Sequence, residues 1–250
     1  MTVHPRVCVS GISTWNQSLA DDVLLYEELG VHTIGAALRK IESETDVELF
    51  LSSGVKVANV IGVGHSGLPR ALELANRLGA PAIVFTTGPA GALEWNDAAT
   101  AFGAALAPLL PAPLKLCLEH TNSLRHDVSF VHTLRDAIDL ARRFDIHVCM
   151  EINACWGERD LVRTVADGID RIGIVQVSDF SIGTLSTPNR LVPGDGDIPL
   201  RRIIGQVLDA GYEGVFDLEL VGPKIEEEGY RSAIARSCAY LSDLLTNSSA

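Results

Sequence analysis

Leu116-Cys117-Leu118-Glu119 is a short apolar run that ends on a carboxylate, and the same pattern returns further along the chain. Val148-Cys149-Met150-Glu151 and Phe216-Asp217-Leu218-Glu219 repeat it, and Ile174-Val175-Gln176-Val177 sets an amide oxygen near its end. Runs this short and this apolar read as strands buried on both faces of a parallel sheet. A side chain at the C-terminal end of such a strand projects into the mouth of a barrel. A single acid there means only that a strand emerges into water. Four oxygen donors on four successive strands instead point to one cation site formed by Glu119, Glu151, Gln176 and Glu219. Donors that are all oxygen suit Mg²⁺ or Mn²⁺ better than Zn²⁺, which prefers imidazole and thiolate.

Working outward, strand-like runs alternate with helical stretches along the whole chain. The candidate strands are Val7–Ser10, His32–Ala36, Lys56–Ile61, Pro81–Phe85, Leu114–Glu119, His147–Ile152, Ile172–Val177 and Gly214–Leu220. Eight strands separated by helices predict a single α/β domain over residues 1–250, a closed (β/α)8 TIM barrel. Between the fifth and sixth strands, Val131, Leu134, Ile138 and Ala141 fall at helical spacing, with Arg135, Asp136, Arg142 and Arg143 on the wet side. Gly30, Gly79 and Gly211 follow helical stretches where a left-handed stop is needed. The last helix sets Ile234, Cys238, Leu241 and Leu245 on one face before a polar tail, 246–250, expected to fray. A doubly wound open sheet is the competing architecture, but no G-x-G-x-x-G follows the first strand. Gly194-Asp195-Gly196 reads as a turn entering a helix rather than a phosphate cradle.

A length of 250 residues suits one barrel, and 47% hydrophobic residues can cover its core. The formal charge of −12 repels nucleic acid and anionic membrane surfaces, so a small-molecule substrate is expected instead. Five cysteines form no C-x-x-C pair and three sit in or beside apolar runs, which suits a reducing compartment. Neither a signal-like N-terminus nor a run of membrane-spanning length is visible, and a cytoplasmic protein is expected.

The segments Leu118-Glu119-His120-Thr121-Asn122, Val175-Gln176-Val177-Ser178-Asp179, Pro193-Gly194-Asp195-Gly196-Asp197-Ile198 and Gly211-Tyr212-Glu213-Gly214 together resemble the xylose-isomerase-like barrels, the sugar-phosphate isomerase/epimerase superfamily. The resemblance is most specific from about Pro81 to Pro223. Its nearest variant is the hydroxypyruvate-isomerase-like group, in which Gln stands at the third ligand position. The resemblance implies a divalent cation on Glu119, Glu151, Gln176 and Glu219. Members are often dimers or tetramers, which leaves a homo-oligomer as an open expectation. Three departures bear on the substrate: Ala154, Ile182 and Arg125 stand where ketose epimerases carry His, Arg and Glu. Their loss removes the polar clamp on a ketose end.

The expected activity is that of a divalent-metal-dependent isomerase or epimerase acting on a sugar-like hydroxy-carbonyl compound through a metal-stabilised enediolate. Glu119 and Glu219 form the acid/base pair. Asp179 supports Gln176 or closes the mouth, and the alternative for it is a turn or cap. His65, Lys40, Trp15 and Trp156 follow strands at the mouth and are candidate substrate contacts, against solvation or core packing as the plain alternative. Trp95 is placed there as well. Strand alternation turns His120 away from Glu119. The rivals are a metal-dependent lyase or dehydratase on the same barrel and a non-catalytic ligand-binding barrel. Endonuclease IV-type phosphodiester hydrolysis calls for more His ligands and conflicts with the acidic charge.

Overall fold

The structure is a computed structural model that describes residues 2–247. Its strands are β1 (Val7–Ser10), β2 (Thr33–Ala37), β3 (Lys56–Gly64), β4 (Ala82–Thr86), β5 (Lys115–Glu119), β6 (His147–Glu151), β7 (Ile172–Val177) and β8 (Phe216–Leu218). Each pairs in parallel with the next, and β8 pairs back onto β1, so the sheet closes into a barrel in chain order. The open doubly wound sheet is thereby excluded.

Around the barrel run α1 (Leu19–Leu29), α2 (Glu44–Ser53), α3 (Leu68–Leu78), α4 (Trp95–Leu106), α5 (Leu134–Phe144), α6 (Ile152–Cys155), α7 (Leu161–Gly168), α8 (Leu200–Asp209), α9 (Pro223–Glu228) and α10 (Tyr230–Asn247). Local chemistry sets their ends. Ser43 and Asp46 form a reciprocal capping box at the start of α2, and Thr133 accepts from Asp136 N–H at 3.0 Å at the start of α5. That cap moves the start of α5 to Leu134, so Val131 lies in the preceding loop rather than in the helix. Gly30 and Gly79 end α1 and α3 with φ of 66° and 67°, the left-handed stops that the sequence demands. In α10 the polar tail begins as helix at Thr246 and Asn247, while Ser248, Ser249 and Ala250 lie outside the described residues. No described helix is long and apolar enough to cross a membrane.

The pleat divides the core in two. Residues such as Val7, Val9, Leu116, Leu118, Val148 and Met150 point outward into the shell of helices. Ile61, Ala82, Val84, Cys117, Cys149 and Ile174 point inward and form their own cluster inside the barrel. All five cysteines are free and buried. The inward positions on β3 and β8 carry a polar pair as well: Asn59 donates to Asp217 at 3.2 Å, with both residues fully buried. Gly35 on the neighbouring β2 leaves room for it, since a Cβ there would lie 2.8 Å from Asn59 Oδ1. Burial pushes the Asp217 carboxyl up to about 6, with hydrogen bonds from Cys8 and Asn59 opposing.

A carboxylate cluster at the barrel mouth

Glu119 and Glu151 close β5 and β6, Gln176 lies one residue before the end of β7, and Glu219 follows β8 directly. Register brings them level. Glu151 is the pairing partner of Gln176, and Glu219 N–H donates to Val177 O at 3.1 Å, which keeps its strand direction beyond β8. One oxygen from each of Glu119, Glu151 and Glu219 lies within 4.8 Å of the other two. Gln176 joins this group, because its side-chain amide donates to Glu219 Oε2. The four residues taken from the strand ends therefore meet in space.

Arg190, which the strand-end reading does not include, sits among them. Its Nη1 lies 2.5 Å from Glu151 Oε2 and its Nη2 lies 2.7 Å from Glu219 Oε1. The side chain is only 15% exposed, so this is a buried bridge between two carboxylates. Arg190 belongs to the long segment between β7 and α8. There it is held by its own N–H to Val221 O at 3.0 Å and by the antiparallel bridge between Asp179 and Leu191. The only sequence signal for it is a lone arginine shortly before Pro193-Gly194-Asp195-Gly196 in a mouth loop.

Burial pushes the Glu119 carboxyl up to about 7, helped by the charge on Glu151 and opposed by Arg190 and Arg125. Burial also raises Glu219 strongly, while the Arg190 guanidinium pulls it back. Three carboxyls in so small a volume cannot all ionise freely without a cation. The donor set fits a hard divalent ion. It offers three carboxylates beside the Gln176 side-chain amide, whose NH₂ faces Glu219 and whose Oε1 is buried with no hydrogen-bond partner among the described residues.

The other candidates fall in different places. Asp179 does not bond Gln176. Its two oxygens accept from Phe180, Ile198 and Gly194 N–H at 2.9, 3.0 and 2.9 Å, so it fastens the β7–α8 segment to itself. His120 faces away from Glu119, is fully buried, and accepts from Glu151 N–H at 3.2 Å. His65 Nδ1 donates to Thr87 O at 2.6 Å, and its ring is half-buried. It forms no hydrogen bond to the cluster among the described residues.

Lys40 is a correction to the expectation of a loop cation facing substrate. Its ammonium is bound to Asp22 at 2.6 Å and to Thr14 O and Oγ1 at 2.7 and 2.8 Å, and its side chain is 7% exposed. All three of its protons are thereby engaged. Trp15 is exposed under the Arg39 guanidinium, 3.7 Å from the ring centroid. Trp156 packs half-buried against the core, and Trp95 meets Phe130 edge-on at 6.0 Å. Arg125, in place of an acid, is held by Asp127 at 2.8 and 3.0 Å, and Ile182 is exposed.

A search of curated proteins finds no match for this chain. Among solved structures, protein SMc04130 from Sinorhizobium meliloti 1021 superposes with a TM-score of 0.85 at 19% identity, over 94% of this chain and 96% of that one. The IolI protein with a bound zinc atom gives 0.77 at 17% identity, over 97% and 98%. An L-ribulose 3-epimerase gives 0.71 at 16% identity, over 99% and 96%. At these identities the likeness is one of fold. The sequence profile of the xylose isomerase-like TIM barrels matches residues 63–240, well over half of the chain. This span includes every residue of the carboxylate cluster, and the chain belongs to the xylose isomerase-like TIM barrel family.

Proposed function

We propose that this protein is a divalent-metal-dependent isomerase or epimerase of a small hydroxy-carbonyl compound. The observation that carries the reading is the pair Glu119 and Glu219. These two acids lie on strands that are not neighbours, their oxygens come within 4.8 Å, and burial raises both carboxyls.

A divalent cation held by Glu119, Glu151, Gln176 and Glu219 would supply a Lewis acid for the substrate oxygens. The rest is the work of the chain's own groups. One of Glu119 and Glu219 removes the proton from the carbon beside the carbonyl, and the other returns one. Return to the opposite face of the same carbon inverts it, and return to the neighbouring carbon shifts the carbonyl. Asn153 N–H donates to Glu151 Oε1 at 2.8 Å and orients that carboxylate. The formal charge of −12 favours a small, neutral or weakly charged substrate over a polyanion. The epimerase among the structural neighbours supports the reaction type.

The test is elemental analysis of protein purified without chelator, beside the Glu119→Gln/Glu219→Gln double variant, followed by proton exchange of hydroxy-carbonyl compounds in D₂O. Near-stoichiometric Mn²⁺ or Mg²⁺ that the variant loses, with deuterium entering beside the carbonyl, is the expected result. Loss of a β-leaving group instead of exchange would assign a lyase. Absence of metal after reconstitution would refute the proposal and leave a binding protein.

A further inference from the structure

Arg190 stands where a cation is needed. Its guanidinium reaches between Glu151 and Glu219, one nitrogen on each. The remaining oxygens of both carboxylates are also engaged, Glu151 Oε1 by Asn153 N–H at 2.8 Å and Glu219 Oε2 by the Gln176 amide. Gln176 thus turns its NH₂ group toward the cluster and leaves Oε1 buried without a partner among the described residues. A cation would require the opposite orientation, with the oxygen facing it.

Two positive groups cannot share this pair of buried carboxylates without strong repulsion, because the low dielectric that makes the Arg190 bridges strong also strengthens repulsion between like charges. The arginine backbone is fixed. Arg190 N–H is bonded to Val221 O at 3.0 Å, and Leu191 is paired with Asp179 in both directions at 2.9 and 3.0 Å. The side chain is long, and a rotamer change suffices to withdraw its charge without moving the strand of chain that carries it.

We infer that Arg190 is a resident counter-cation: it neutralises Glu151 and Glu219 while the metal is away, and uptake of a divalent ion displaces its guanidinium from those carboxylates. The same event frees Gln176 to rotate its amide and present Oε1. The inference rests on the metal-dependent reading above, but it concerns a residue outside the ligand set. It makes Arg190 the determinant of how tightly the ion is held.

The experiment is calorimetric titration of chelator-stripped protein with MnCl₂, for the unmodified chain, Arg190→Gln and Arg190→Lys, with thermal melting in EDTA beside it. Arg190→Gln is expected to bind Mn²⁺ at least about tenfold more tightly. It should also melt below the unmodified protein in EDTA, and regain that loss when Mn²⁺ is added. Arg190→Lys keeps a charge in the site and should stay closer to the unmodified affinity. Millimolar guanidinium chloride should weaken Mn²⁺ binding to Arg190→Gln and leave the unmodified protein unaffected. Should Arg190→Gln fail to fold in EDTA, recovery of its circular dichroism on adding Mn²⁺ supports the inference, and failure to recover overturns it. Equal or weaker Mn²⁺ binding by Arg190→Gln overturns the counter-cation role while leaving the metal reading intact. Uptake by none of the three proteins overturns both.

Discussion

The backbone N–H of Glu151 donates to Nε2 of His120 at 3.2 Å, so a buried imidazole on the chain after β5 steadies the strand end that presents a carboxylate on β6. The acceptor role fixes the ring as neutral, with its proton on Nδ1. Burial, helped by His132, lowers the His120 pKa to about 3. Its unfolded-state value is near 6.5, so the folded value is depressed. The stability it contributes is complete above about pH 6.5 and is lost as pH falls toward 3, because the unfolded chain takes up the proton first. Urea unfolding at pH 7.5 and 4.5 should show a loss of about 2 kcal/mol more in the unmodified protein than in His120→Asn, whose side-chain carbonyl accepts the same bond without titrating. Parallel pH curves for the two proteins would remove His120 from the acid response.

Lys40 and Asp22 make a buried pair, 7% and 2% exposed at their side chains. Lys40→Ala leaves a buried carboxylate alone and should destabilise the fold by about 3 to 5 kcal/mol. Adding Asp22→Asn should restore much of that loss, since both charges are then gone. In the variant that folds, KM should move little, because the ammonium is committed to Thr14 and Asp22. A large rise in KM at unchanged stability would return Lys40 to the substrate.

Three backbone N–H groups converge on Asp179. Asp179→Ala removes all three acceptors and should loosen residues 180–198 while the barrel strands remain closed. Amide exchange in that segment is expected to quicken by about tenfold or more, with little change in β1 to β7. Uniform acceleration across the barrel would show that Asp179 supports the whole fold.

Gly35→Ala directs a methyl group to 2.8 Å from Asn59 Oδ1. Asn59 must shift away from Asp217, and a loss of about 1 to 3 kcal/mol is expected from chemical denaturation. Pairing it with Asn59→Ser, which shortens the obstructing side chain, should recover part of the loss. No coupling between the two substitutions would mean that the cavity relaxes in another direction.

Much of this site could be read before folding because parallel strands impose a rule that sequence carries. Apolar runs mark the strands, and the residue at the end of each faces the mouth, which placed Glu119, Glu151, Gln176 and Glu219 together. The same alternation turned His120 away from Glu119. Its partner comes from a different strand, however, and only the register between β5 and β6 shows that the partner is Glu151 N–H. Arg190 obeys no period, since it lies in an irregular segment where spacing says nothing of direction. The partner of Lys40 is hidden for a related reason, as Asp22 lies on α1 and the fold, not the local sequence, brings them together. At β8 the strand is Phe216–Leu218, shorter than the Gly214–Leu220 run. Tyr212 OH donates to Val215 O at 2.7 Å and holds the approach as a turn.

The antiparallel bridge between Asp179 and Leu191 closes off residues 180–190, a stretch that includes the exposed Ile182 and Leu185. Arg190 lies inside the closed segment, directly before Leu191, and its own N–H bond to Val221 O at 3.0 Å anchors it, so the rest of the loop is a separable module. It can be lengthened, shortened or exchanged for another without shifting the charge balance at the mouth, since closing a longer loop costs little entropy. A protein engineer could therefore vary the rim of the barrel residue by residue while its chemical centre stays in place.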